Sequence, residues 1–444
     1  MIDLSPEAIT IIMFAGILFG VFIGYPLAFP IGGIALVIGF LVFGEGAFPI
    51  LYTRLFDLIH NYILVAVPLF IYMGIMLEHS GIAERMFQVL YLWLSGLRGG
   101  LAIITVLIGT ILAATVGIIG ASISMLALVA LPAMIRRGYD KSLASGAVVA
   151  GGCLGILIPP SIMLVIYGPM AQISVGKLFM AAFFPGFTLS ALYCSYIGLR
   201  CIVQPNLGPS IPPDERAVPW SKKITMLLTS LVPPAILILS VLGVIFMGVA
   251  PPTEAASVGA FVSTLLAIVY RRFSWQTLRD TTLGTLRLSS MILLIGGLSY
   301  AFVGVFLRAG CGHVVESVIL ATPGGRWGAF AIIMFIIFIL GFFIDWIGIL
   351  FIIIPIVSPL APLLEFDPLW FGMMICVNLQ MAFMTPPLAQ GIFFLRGAAD
   401  PSLGVTMGDI IKGVFPYVGL IMICLLLCTF FPQIILWLPG MMIK

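Results

Sequence analysis

The chain has 444 residues, of which 62% are apolar and only 8% charged, with a formal net charge of +3. A soluble domain carries about 25% charged residues, so this composition excludes a soluble enzyme or binding module and specifies a polytopic membrane protein. The few basic residues flank apolar runs, a distribution that sets orientation in a bilayer and argues against nucleic-acid binding.

At about 20 residues per span, the length allows roughly ten to twelve crossings. Apolar segments lie near 8–23 and 28–43, split by Gly24-Tyr25-Pro26. The N-terminus lacks a basic region and a small-residue cleavage site, so the first run reads as a retained helix. An amphipathic stretch follows at 45–61, with Glu45, Arg54, Asp57 and His60. A third span covers 62–79, and the loop after it carries Glu84, Arg85 and Arg98. Residues 101–137 read as a re-entrant hairpin ending in Arg136, Arg137 and Lys141. A broken span covers 143–168, and a further span 178–199. The hydrophilic loop 200–223 serves as a linker.

The second half repeats this order. Spans at 224–248 and 252–270 are split at Pro251-Pro252-Thr253-Glu254, and an amphipathic stretch at 271–287 precedes a span at 288–308. A second hairpin is predicted at about 328–363, a broken span at 369–395 and a last span at 413–432. A shift of 227 places Pro132 on Pro359, Asp140 on Asp367, Pro159-Pro160 on Pro386-Pro387 and Gly32 on Gly259. The chain is therefore predicted to be an internal duplication: a first repeat over 1–200, a cytoplasmic linker at 201–223 and a second repeat over 224–444. Lys and Arg flank hairpin one on both sides, whereas the flanks of hairpin two are nearly free of them. Hairpin one thus enters from the cytoplasm and hairpin two from outside, with the N-terminus outside. Five spans plus one hairpin per half force that inversion, as in secondary transporters. The fold class is an all-α inverted repeat of about 5+5 transmembrane helices with two re-entrant hairpins and two broken helices.

Breaks inside a bilayer leave backbone groups unpaired at several kcal/mol each unless protein, water or an ion satisfies them. The first break, Gly117–Ser124, offers a glycine turn at Gly117 and Gly120 and hydroxyls at Ser122 and Ser124. Amides at a half-helix start attract an anion, and carbonyls at a half-helix end attract a cation. The same pairing recurs at Pro159-Pro160-Ser161, so this region can bind a carboxylate and a sodium ion together. Glycine packing between helices is an alternative account of Gly151, Gly152 and Gly155, but it leaves the double proline unexplained. The second site reads Thr385-Pro386-Pro387-Leu388-Ala389-Gln390. Of Asn378, Gln380 and Gln390, at least one is expected to face the cavity. Asp345 is the exceptional acid within a span, and two compatible roles fit it: a helix cap, or ion coordination and gating. His60, His79 and His313 sit at span ends and read as interfacial. Seven cysteines without a CxxC pair read as packing residues. There is no GxxxxGK[ST] loop, HExxH or GxSxG, so neither ATP hydrolysis nor an enzyme is expected. No cofactor is expected either. Uphill transport must then draw on an ion gradient. Ser122, Ser124 and Ser161 cannot carry a proton, whereas sodium suits hydroxyl and carbonyl ligands.

The run from Gly120 to Gly168 resembles the large membrane subunit of tripartite ATP-independent periplasmic (TRAP) transporters, the DctM-like family. GYPLAFPIGG, PPTEAASVGAF and the run FDPLWFGMMICVNLQMAFMTPPLAQGIFFLRG extend the resemblance over essentially the whole chain. It implies a sodium-driven importer of a small organic anion in the bacterial inner membrane, with an elevator-type transport domain on a scaffold. It also implies two protein partners, a small four-helix membrane subunit and a periplasmic substrate-binding protein, in a surround of membrane lipid. By the resemblance, one ion site takes Gly120, Ala121, Ser122, Pro159, Pro160 and Ser161, with Na+ at Gly120, Ser122 and Pro159. The other takes Asp345, Gly348, Thr385, Pro386 and Pro387, with Na+ at Gly348, Thr385 and Pro386. Many members have glycine and asparagine where this chain has Ala389 and Gly391. The run ending in Gly397 is similar to a branch associated with mannitol, chloroaromatic or keto-acid substrates. A stand-alone sodium/dicarboxylate symporter or an ion antiporter shares the hairpins and broken helices and is the competing reading.

Overall fold

The computed structural model describes residues 4–94, 96–210, 212 and 218–442; position 95, the linker positions 211 and 213–217 and both extreme ends lie outside these residues. In chain order the first half comprises α1 (Pro6–Phe22), α2 (Ala28–Phe43), α3 (Ala47–Ile59), α4 (Ala66–His79) and α5 (Ile82–Leu94). It continues with α6 (Gly100–Val116), α7 (Ile119–Arg136), α8 (Lys141–Cys153), α9 (Ile162–Ala171) and α10 (Val175–Val203). The second half opens with α11 (Trp220–Ile238), which runs through a π-turn at Leu239–Gly243 into α12 (Val244–Phe246). It is followed by α13 (Pro252–Val269), α14 (Trp275–Arg308), α15 (Cys311–Leu320) and α16 (Gly325–Leu340). The second hairpin returns through α17 (Trp346–Ile352), α18 (Ile354–Val357) and α19 (Leu360–Leu363). The chain closes with α20 (Pro368–Ala382), α21 (Gln390–Ala398), α22 (Met407–Phe430) and α23 (Gln433–Gly440). Among the described residues eight helices are long and apolar enough to cross a membrane.

The shift of 227 pairs α6 with α16, α7 with α17–α19, α8 with α20, α9 with α21 and α10 with α22. Local chemistry repeats with it. Asp140 caps α8 by accepting from the Leu143 amide at 2.9 Å, and Asp367 caps α20 by accepting from Leu369 and Trp370 at 2.9 and 3.0 Å. Each cap pairs orphan amides at a helix start and stabilises it by about 1 kcal/mol. The Pro159–Pro160 and Pro386–Pro387 bonds are both cis. The fold is thus an inverted repeat with two hairpins and two broken helices.

Two groups of helices emerge from the packing. In one, α4 packs on α13, and α14 lies against α2, α3 and α4. In the other, α8 is buried between α6, α7 and α22. That burial depends on close crossings: a Cβ on Gly146 would overlap the Gly413 carbonyl, and one on Gly109 would stand 2.5 Å from the Gly151 carbonyl oxygen. Gly151 and Gly152 therefore do serve packing. The two groups meet where α14 touches α17 and where α4 touches α6 and α9.

Three elements differ from the sequence reading. The loop expected around Glu84 and Arg85 is α5, whose Ile82, Met86 and Val89 are buried at helical spacing. The amphipathic stretch and span expected at 271–287 and 288–308 form the single helix α14. In the first half the arm and span are separate because Asn61 breaks the chain between them, its Oδ1 accepting from the Ile63 amide at 3.1 Å. The shift places Leu288 at the corresponding position, and leucine does not interrupt a helix. The unexpected terminal helix α23 packs against α10.

Candidate functional site

Hairpin one turns between α6 and α7. Gly117 makes that turn in the left-handed region, φ 66° and ψ 10°, where a side chain would be strained. Ile118 is extended, and its carbonyl oxygen accepts from the Ser122 amide at 3.3 Å. Ser122 Oγ is buried and has no hydrogen-bond partner among the described residues. A buried polar atom left in that state costs about 1–3 kcal/mol. Facing it is Gly155, in the 3-10 turn Leu154–Ile156 that ends the first half of the broken helix. A Cβ on Gly155 would stand 3.4 Å from Ser122 Oγ and 3.7 Å from the Ile118 oxygen. Its absence leaves a cradle walled by a hydroxyl and a carbonyl.

The two segments touch again at Gly117, where a Cβ would stand 3.1 Å from the Pro160 oxygen. Ser161 occupies the cap position of α9 but makes no capping bond; its hydroxyl donates back to the Ile156 carbonyl. Ser124 and Ala121 are half-buried along α7 and do not line the central cavity. Gly120 lines it and receives Phe394 of α21, whose Cε1 lies 3.0 Å from the position of a Gly120 Cβ.

Hairpin two turns at 341–345. Asp345 stands at the cap position of α17 in extended conformation, φ −62° and ψ 151°, yet its side chain makes no capping bond. Its Oδ1 instead accepts from Gln390 Nε2 at 2.8 Å, joining the hairpin tip to the second half of the broken helix. Gln390 opens α21 after Ala389, which lies in the left-handed region at φ 33°. Thr385 Oγ1 donates to the Met381 carbonyl at 2.8 Å, within its own helix end. Beside the Gly348 Cα the space is taken by the side chains of Leu27 and Ile344. Of the other polar residues here, Asn378 donates to the Met334 carbonyl at 2.8 Å as an interhelical bond. Gln380 is fully buried without a partner among the described residues.

Both tips reach one cavity of about 120 Å³. Gly117 and Gly120 line it from hairpin one, Asp345 and Trp346 from hairpin two, and Gln390 and Phe394 from α21. The helices cross over here: α21 packs on α7, and α9 packs on α17. Each broken helix therefore lends its second half to the hairpin of the other repeat. Isoleucines of the hairpins and of the first broken helix add to the lining, and the scaffold side of the wall comes from Ile71 of α4 and from Leu288, Met291 and Ile292 of α14. These apolar residues give no signal in the sequence, because nothing separates them from lipid-facing neighbours.

Two oppositely oriented halves, each bringing a hairpin tip and a broken helix to a shared central cavity, define a membrane transporter of the inverted-repeat class. The sequence profile described as "Tripartite ATP-independent periplasmic transporter, DctM component" matches residues 10–434, and the chain belongs to that family. It is similar to the C4-dicarboxylate TRAP transporter large permease protein DctM of Pseudomonas aeruginosa, at 29% identity over 92% of this chain and 93% of that one. It is also similar to the isethionate TRAP transporter permease protein DctMQ of Oleidesulfovibrio alaskensis, at 28% identity over 96% of this chain and 66% of that one. Among solved structures, the Alcanivorax borkumensis YdaH transporter shares the fold, with a TM-score of 0.64 and 15% identity over 97% of this chain and 99% of that one. The chain is a multi-pass protein of the bacterial inner membrane.

Proposed function

We propose that this chain is the substrate-translocating subunit of a sodium-coupled importer for a small organic anion. The observation that carries the reading is the pairing of the orphan Ser122 hydroxyl with the Gly155 cradle, beside a cavity reached by both hairpin tips. A sodium ion there would pair the hydroxyl and the Ile118 carbonyl and hold the hairpin tip against the broken helix. The anion would lie in the adjoining cavity, near the amides at the starts of α7 and α17. Binding of one ligand then preorganises the site for the other, which is the basis of coupling. Asp345 and Gln390 tie the second tip to α21 and complete the cavity wall. The hairpins and broken helices would move as one body against the α2–α4–α13–α14 scaffold, in elevator fashion. The partners would be a small four-helix membrane subunit and a periplasmic binding protein that delivers the anion. The relatives' C4-dicarboxylate and isethionate point to a carboxylate or a related organic acid.

The test is uptake into proteoliposomes holding this chain with and without the small subunit, in the presence and absence of the binding protein. Accumulation is expected only for the full set under an inward sodium gradient. Accumulation by the chain alone, without the binding protein, would support a stand-alone symporter instead.

A further inference from the structure

A cavity of about 540 Å³ lies apart from the tip site. It opens between α3 and the outer end of α14 on one side and α9 with the returning arm of hairpin two on the other. Tyr300, Val303 and Leu307 line it from α14, and Ser358 lines it from hairpin two. The distribution of basic residues assigns this face to the outside. One charged side chain lines it, Arg54 of α3.

Several arginines are engaged by neighbouring groups. Arg85 lies over the Tyr270 ring, Arg326 pairs with Glu365, and Arg396 donates to the Val405 carbonyl. Arg54 is half-buried and, among the described residues, makes no hydrogen bond or ion pair. Asp57, one turn further along α3, is exposed and forms no ion pair with it; the charges of both act on Tyr300 in the cavity wall, but only Arg54 lines the cavity itself. A basic side chain at a membrane surface ordinarily snorkels toward the headgroups. Here the stem is laid across α14 instead: a Cβ on Gly304 would stand 2.6 Å from Arg54 Cγ and 3.2 Å from Nε. The notch at Gly304 keeps the guanidinium at the cavity.

The same helix connects this cavity to the tip site. Leu288, Met291 and Ile292 line the central cavity, and Tyr300, Val303 and Leu307 line the outer one. Between them Phe351 of α17 seats on Gly296, its Cζ 2.8 Å from the position of a Cβ there. The Phe351 ring also meets Tyr300 edge-on with centroids 6.3 Å apart. The aromatic side chain thus separates two chambers stacked along α14.

We propose that the outer cavity is an anion-gathering vestibule, with the unpaired Arg54 guanidinium as the group that attracts a carboxylate or sulfonate toward the Phe351 barrier. The assignment of that anion as transported substrate rests on the importer reading; the charge selectivity of the cavity does not. The vestibule is tested in the purified complex with single cysteines introduced as Ser358→Cys and, independently, Val303→Cys. Native cysteines are buried or half-buried and give a low background. Modification rates are compared for an anionic reagent, sulfonatoethyl methanethiosulfonate, and a cationic one, trimethylammonioethyl methanethiosulfonate. At low ionic strength, Arg54→Gln is expected to lower the anionic-to-cationic rate ratio about tenfold, Arg54→Lys to retain it, and salt to shrink the difference. An unchanged ratio in Arg54→Gln at both reporters would overturn the proposal. Uptake enters neither reading, so failure of the transport assignment would be visible separately.

Discussion

The two repeats keep the same backbone plan and divide the chemistry between them. Helix caps at Asp140 and Asp367 and the double prolines recur at one shift. The polar side chains do not. Under that shift Ser122 corresponds to Ile349, Ser161 to Leu388, Asp345 to Ile118 and Gln390 to Met163. The first site is therefore built of hydroxyl and carbonyl oxygens, and the second of a carboxylate and an amide. Duplication supplies the geometry of a re-entrant tip against a broken helix, and divergence gives each copy a different set of polar groups. The arms differ too: Asn61 separates α3 from α4, whereas α14 runs unbroken from arm to span.

Several substitutions would break or sharpen this contrast. The largest effect is expected at the α8–α22 crossing, where Gly146 leaves no room beside the Gly413 carbonyl. Gly146→Leu should destabilise the protein by about 3 kcal/mol through overpacking, read as a lower melting temperature in detergent. The shift carries Gly146 to Met373, where the second repeat already holds a long side chain, and Met373→Leu should change the melt little. Next in size is the second tip. Asp345→Asn can still accept from Gln390 but loses its charge; uptake is expected to fall about tenfold, equivalent to about 1.4 kcal/mol. Wild-type uptake in that variant would reduce Asp345 to a bridge. Asn61→Leu, which copies the second repeat, should remove a cap and cost about 1 kcal/mol; no change in melting would mean that the hinge is held elsewhere. Smallest is Ala389→Gly, which relieves a left-handed alanine at φ 33°. It should stabilise the protein by about 1 kcal/mol, and a lower melting temperature would contradict the strain.

Much of the architecture was legible because lipid imposes strict rules. Spans, hairpins and breaks follow from apolar runs and their interruptions, and the recurrence of Pro-Pro at one shift located both broken helices. Asp345 was legible as an acid at membrane depth, but its bond to Gln390 joins residues 45 positions apart and is tertiary. The α5 helix was hidden because Glu84 and Arg85 dominate a short segment, although the spacing of Ile82, Met86 and Val89 carried the signal. The fusion within α14 was hidden because the amphipathic and apolar stretches differ in composition but not in conformation. The seat of Phe394 on Gly120 and the α14 wall of the cavity depend on packing that no local pattern encodes.

Gly155→Ala probes the cradle at Gly155 most directly. The added methyl would meet Ser122 Oγ at 3.4 Å, an ordinary contact, so the fold should be retained while the cradle is filled. Initial uptake rates in proteoliposomes are to be measured against sodium concentration, with the melting temperature checked in parallel. If the cradle holds sodium, the requirement for half-maximal rate should rise about tenfold, about 1.4 kcal/mol of lost ion binding, with the melting temperature unchanged. An unaltered sodium dependence in Gly155→Ala, or full uptake driven by a pH gradient in sodium-free buffer, would contradict it.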